Sequence, residues 1–174
     1  MRRLFVALLA LSAVILPLAP APAQGAGMVF TVGSKTCTAG GRSLSMDVAP
    51  FIDPGSGRVY VPLRFLAQAL GAAVAWDAKT GAVTMDFEEN GGMGRDLVLE
   101  LVIGNNTMTV INRPGNRGMQ AQFITQKQVV MDAVPMIVRG RTMVPASWVA
   151  RALGFSVTWH AADRSVDLTP PDAS

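Results

Sequence analysis

The chain states one pattern twice. Residues 61–76 read VPLRFLAQALGAAVAW and residues 144–159 read VPASWVARALGFSVTW. Pro62 and Pro145, Leu70 and Leu153, Gly71 and Gly154, Val74 and Val157, Trp76 and Trp159, and Val83 and Val166 all stand 83 positions apart. A constant offset across apolar, Gly and Pro positions marks two copies of one supersecondary unit. Upstream, MDVAPFI (46–52) matches MDAVPMI (131–137) at an offset of 85. The two-residue difference falls in the turn, DPGSG in the first copy and VRG in the second, where length changes are tolerated.

Period and punctuation give the elements of each copy. FI, DPGSG and RVYV read as two short strands joined by a turn, because Pro and Gly end the first run and Val59, Tyr60 and Val61 favour extended backbone. MIV, RG and RTMV repeat this in the second copy. Pro62 and Pro145 then stand at the first helical position, where a missing N–H costs nothing. Leu63, Leu66, Ala67 and Leu70 are spaced i, i+3, i+4, i+7, as are Ala146, Val149, Ala150 and Leu153, so each helix carries an apolar stripe for a sheet. Gly71 and Gly154 follow, where a left-handed residue ends a helix. The alternating strands AVAW and SVTW, polar turns, and the strands AVTMDF and SVDL complete the unit. Val83, Met85 and Phe87 are expected to share one face. Further strands are expected ahead of each unit, MVFTVG in the first copy and LVLELVIG with TMTVIN in the second. The expected fold is α+β, two tandem copies of a unit with one helix packed on a twisted, mostly antiparallel sheet.

Phe65 and Ala69, like Trp148 and Ala152, point away from the first stripe. Only Arg64, Gln68, Ser147 and Arg151 supply a polar strip. Each helix is therefore expected to be covered on two sides, by its own sheet and by the other copy or a partner molecule.

The first residues form a separate object. MRR, an apolar run and Ala21-Pro22-Ala23 spell a secretory signal with cleavage after Ala23. Pro17 and Pro20 shorten the apolar run below the ~18 to 20 residues of a spanning helix, so a retained anchor is the lesser reading. The expected location is secreted or in the cell envelope. The expected boundaries are a signal at 1–23, a first repeat at 24–90, a linker at 91–95, a second repeat at 96–169 and a tail at 170–174. Of 15 Lys and Arg, Arg2 and Arg3 leave with the signal, which sets 13 basic groups against 12 acidic ones, a net charge of +1. No Lys/Arg run or aromatic-basic stripe remains to bind nucleic acid. Cys37, the single cysteine, forbids an internal disulfide, so stability rests on apolar burial.

The runs GRVYVPLRFLAQALGAAVAWD and GRTMVPASWVARALGFSVTWH resemble the stalk repeat of exported bacterial proteins, named after the N-terminal domain of copper amine oxidases. Gln68 stands where that family usually has Glu; Ser147, Arg151 and His160 replace its Arg, Glu and Asp. The resemblance spans about residues 28–168. It implies an antiparallel sheet wrapped around a helix, found attached to wall hydrolases, surface-layer modules and other envelope proteins. It does not imply amine oxidation, because the oxidases carry copper and the tyrosine-derived quinone in a separate, larger domain. Independently, such a copper site wants three imidazoles and the chain has only His160. Tyr60, the only tyrosine, reads as a buried or half-buried strand residue. No cofactor is expected, and no catalytic or metal-binding residue is assigned.

Other chemistry is weaker. Cys37 and His160 offer a nucleophile–base pair only in principle; an inert thiol and a turn histidine are the plainer reading. Asp47 and Asp132 recur, and a pair of catalytic carboxylates competes with the simpler view that each bonds a backbone turn. Arg64 and Asp77 read as solvated or ion-paired. GGMG (91–94) lacks a phosphate loop's lysine. Trp76 and Trp159 invite sugar stacking, yet their recurrence beside core valines favours packing.

The stretch NRPGNRGMQAQFITQKQ (112–128) shows no clear period before QFIT and reads as a long loop, either functional or mobile. Candidate ligand- or partner-facing residues are therefore Arg113, Arg117, Met119, Gln120 and Gln122, together with Trp148 and Phe65. The residues Asp47, Pro62, Leu70, Gly71, Trp76, Asp132, Pro145, Leu153, Gly154 and Trp159 are expected to serve the repeat's structure. The expected function is a non-catalytic scaffold or binding module that contacts cell-wall polysaccharide, peptidoglycan or an envelope protein. Self-association is open, and the membrane is met only through an uncleaved leader. The alternative is a small envelope hydrolase or inhibitor-like factor with an unrecognised site.

Overall fold

A computed structural model describes residues 27–87, 96–113 and 124–171. The signal and linker expected at 1–23 and 91–95 lie outside them. Fourteen strands and two helices follow one another among the described residues. The first part of the chain gives β1 (Met28–Thr31), β2 (Thr36–Ala39), β3 (Arg42–Ser45), β4 (Phe51–Ile52), β5 (Val59–Pro62), α1 (Leu63–Ala69), β6 (Ala73–Asp77) and β7 (Ala82–Phe87). The second gives β8 (Asp96–Val102), β9 (Thr107–Arg113), β10 (Thr125–Val130), β11 (Met136–Val138), β12 (Arg141–Pro145), α2 (Ala146–Ala152), β13 (Ser156–His160) and β14 (Ser165–Thr169).

The strands build three antiparallel sheets, ordered β13-β14-β1-β2-β3, β10-β9-β8-β7-β6 and β11-β12-β5-β4. Pairing crosses between the two parts of the chain. β1 binds β14 with Phe30 opposite Val166, β7 binds β8 with Met85 opposite Leu99, and β5 binds β12 with Val61 opposite Val144. The strands expected ahead of each unit exist, but each finishes the sheet begun elsewhere. Matching backbone bonds lock these junctions. Val32 N donates to Arg164 O and Ile103 N to Gly81 O, both at 2.9 Å; Gly33 N donates to Pro50 O at 2.8 Å and Gly104 N to Pro135 O at 2.9 Å.

The helices form for the reasons the sequence offers. Leu63, Leu66, Ala67 and Leu70 are buried, as are Ala146, Val149, Ala150 and Leu153. α1 packs on β5, β6 and β12, while α2 packs on β5, β12 and β13, so each helix is covered by elements from both parts of the chain. Phe65 and Trp148 are half-buried against the core. Pro62 and Pro145 sit one position earlier than expected, as extended N-cap residues at ψ 120 and 108 that also end β5 and β12. Gly71 and Gly154 stop the helices at φ 73 and 82. One core runs through all three sheets, joining Phe30, Met85, Leu99, Val61, Val144 and Leu168. The opposite face of β5 and β12 holds a smaller cluster of Val48, Tyr60, Ala133 and Met143. There the Tyr60 ring stacks on Phe51 at 5.3 Å and its hydroxyl donates to Val134 O at 2.7 Å.

The strands β2, β3 and β10 were not anticipated. RSLS and TQKQVV are mostly polar and lie at sheet edges, where one row of neighbours suffices and polar side chains discourage further pairing; TCTA alternates exposed threonines with buried Cys37 and Ala39 over only four residues.

Arg164 turns with φ 56 where the first part has Gly81 at φ 66. A left-handed L-residue costs about 1–2 kcal/mol, against roughly 0.5–1 kcal/mol for the extra freedom of an unfolded glycine. Arg164→Gly is therefore expected to raise stability slightly, by up to about 1 kcal/mol, and Gly154→Ala to lower it by about 1–2 kcal/mol. Urea unfolding of the two variants checks both signs. At position 154 an added Cβ meets nothing closer than Pro171 Cγ at 3.9 Å, so the backbone alone sets the penalty.

Candidate functional site

Two acid–base struts cross the central sheet. Asp132 accepts from Arg58, whose Nε lies 3.1 Å from each carboxylate oxygen and whose Nη2 also pairs with it. Asp47 accepts from Arg141. Arg58 and Arg141 are 83 positions apart and the aspartates 85, so each carboxylate is held by an arginine from the other part of the chain. The expectation that Asp47 and Asp132 chiefly bond a local turn is corrected: arginine is the dominant partner of each. Asp53, Asp77 and Asp163 perform the turn-bonding task instead. Asp53 accepts from Ser56 N and Oγ, Asp77 from Lys79 N and Thr80 Oγ1, and Asp163 from Ser165 N and Oγ.

The struts differ in their third member. Trp148 Nε1 donates to Asp132 Oδ1 at 2.7 Å, while the matching position on α1 is Phe65, which has no N–H to give. Beside Phe65 lies a groove of about 380 Å³ between α1, β6 and the β11–β12 turn. Asp47, Arg64, Phe65, Trp76, Ile137 and Arg141 face it. Its size falls within the range of small-molecule sites, and its lining follows their pattern of apolar wall with a few polar groups.

Trp76 and Trp159 do not pack in the core as expected. They are 47 % and 43 % exposed. Both stand on edge strands, β6 and β13. Their cross-strand partners Val83 and Val166 are buried, so the core ends at the valines and the indoles overhang its rim. Recurrence beside a valine was a true signal of shared geometry but could not show that the strand had no outer neighbour. The sequence also gave no role to Arg58, Arg141 or Ile137. The signal was present in the repeated Gly-Arg pair before VYVP and TMVP, at the spacing of the other matched positions.

Other candidates are dispersed. Cys37 is buried in β2, and burial pushes its thiol pKa up, which disfavours the thiolate. His160 is exposed at the end of β13, with β14 and β1 between the two strands, roughly 14 Å of strand spacing. Among the described residues no three His, Cys, Asp or Glu side chains gather as metal ligands. Arg64 is exposed and has no acidic partner among the described residues; Asp77 turns to its own loop. Arg113 lies in β9, not in a loop, and pairs with Asp86 across β8. Arg117, Met119, Gln120 and Gln122 lie outside the described residues.

Comparison with protein families matches the copper amine oxidase N-terminal domain over residues 23–85 and again over 38–168. The chain belongs to that family. The matched region is the N-terminal domain alone, not the oxidase's catalytic domain. Comparison with curated proteins and with solved structures finds no match. Among the described residues no helix is long and apolar enough to cross a membrane.

The arginines hold Asp47 and Asp132 below the usual carboxylate pKa, with Trp148 adding to the effect at Asp132. A depressed folded-state pKa contributes stability above the unfolded value of about 3.9 and loses it as pH falls through that value toward the folded one. The urea midpoint is expected to fall below about pH 4, less steeply in Asp132→Asn than in the parent. Trp148 emission should shift as its acceptor protonates. Unfolding curves from pH 2.5 to 7 provide the measurement.

Proposed function

We propose that this protein is an exported, non-catalytic scaffold or binding module that presents its α1–β6 groove to wall polysaccharide, peptidoglycan or an envelope protein. Membership of the amine oxidase N-terminal domain family carries the reading. Among the described residues, the candidates weighed for chemistry support it, since Asp47 and Asp132 are engaged by arginines and Cys37 and His160 lie apart. Asp47 and Asp132 are ionised struts, with pKa values held down by arginine, where a general acid needs one held up. The Cys37 thiol is buried away from His160. Two repeated segments, each completing the other's sheets, give a rigid body suited to holding a recognition surface. Residues 1–23 act as the leader that delivers it, and the mature chain starts at Gln24.

Expression in an exporting bacterial host should yield extracytoplasmic protein whose intact mass corresponds to a chain beginning at Gln24. Sedimentation with insoluble wall material should retain that protein without releasing soluble fragments. Release of wall fragments by the purified chain, with no retention, would contradict the reading and favour a hydrolase.

A further inference from the structure

The groove beside Phe65 has a chemically defined difference from its counterpart. In the second part of the chain Asp132 receives two donors, the Arg58 guanidinium and the Trp148 indole N–H. In the first part Asp47 receives the Arg141 guanidinium and the backbone N–H groups of Asp47 and Val48, and Phe65 cannot supply the indole bond. Asp47 therefore turns an ionised, 42 %-exposed carboxylate with spare acceptor capacity into an apolar groove. Around it stand a half-exposed indole, Trp76, and the exposed side chain of Ile137. The remaining cation on the lining is Arg64, on the exposed side of α1. The corresponding residue of α2 is Ser147, which has no charge.

We infer that this groove binds a pyranose unit carrying a carboxylate, with the ring stacked on Trp76, a ring hydroxyl donated to Asp47 and the carboxylate held by Arg64. Each contact answers a separate feature of the lining. The apolar C–H face of a sugar ring suits a flat aromatic wall, as interface indoles suit partners with one apolar and one wet side. A hydroxyl supplies the donor that the Trp148 N–H supplies to Asp132. A guanidinium without an acid partner among the described residues matches a carboxylate in bidentate geometry. An unmodified apolar peptide would leave Arg64 unpaired and give Asp47 no side-chain donor beyond Arg141. The inference rests on the reading of the chain as a wall-contacting module and assigns that module its site and ligand class.

The test titrates the mature protein, labelled with ¹⁵N, with a uronic acid trisaccharide and with the equivalent neutral hexose trisaccharide, and follows amide and indole resonances. The acidic sugar should bind about fivefold more tightly, the upper scale of one exposed ion pair, and should move the Trp76 indole signal. Arg64→Gln should bring the two affinities within about twofold. Phe65→Trp should remove binding of both sugars while keeping the protein folded, because the new indole N–H occupies Asp47 and the larger ring fills the groove. Trp159→Ala should bind as the parent does. Equal binding of the two sugars, a preference that survives Arg64→Gln, or shifts centred on Trp159 would overturn the assignment. Undiminished retention of Phe65→Trp on wall material would also overturn it, while leaving the module reading standing. Loss of retention in the parent protein would remove that reading instead.

Discussion

Neither part of this chain finishes its own sheets. β14 needs β1, β7 needs β8, and β5 needs β12, so the middle of every sheet is a junction between the two parts of the chain, and in two of the three the paired strands lie far apart in sequence. The rest of the structure depends on this exchange of strands. It explains why both helices are covered on two sides and why one apolar core threads three sheets. It also explains why the carboxylate before each proline motif meets an arginine from the other part of the chain. Long-range pairing of this kind raises the entropy of closure that folding must overcome. Antiparallel registers with Phe30, Met85, Leu99 and Val144 fully buried supply the compensating apolar burial.

Near-equivalence also makes the differences informative. The central sheet carries two struts of the same design, and one has its third corner filled by Trp148. The other has Phe65, an open groove, Trp76 at its rim and Arg64 beyond it. The two parts of the chain thus give one closed polar triad and one recessed acceptor. The family match describes the scaffold; the groove lies where the two parts differ.

Much of this was legible in the sequence because it is written in short-range periodicity. The i, i+3, i+4, i+7 stripes at Leu63 and Ala146, the glycine stops at Gly71 and Gly154, and the alternating face of Val83, Met85 and Phe87 all appear as expected. Three things escaped. β3 and β10 are polar edge strands that leave little periodic trace, and β2 alternates over only four residues. The partner of each strand lies up to a whole chain away, and no local pattern states whether β8 continues β7 or begins a separate sheet. Trp76 and Trp159 share their neighbours with core residues, and only knowledge that β6 and β13 are outermost shows that the rings overhang. The site was half-visible for the same reason: Phe65 and Trp148 stood out on their helices, whereas Arg58 and Arg141 acquire meaning only when the sheets cross.

The most direct measurement separates the chain in the 91–95 segment and purifies residues 24–90 and 96–169 individually. Exchange of strands predicts that each piece alone lacks a cooperative unfolding transition and dispersed amide resonances, and that mixing them restores both in a one-to-one complex. Cooperative, native-like folding of either piece by itself would contradict the account.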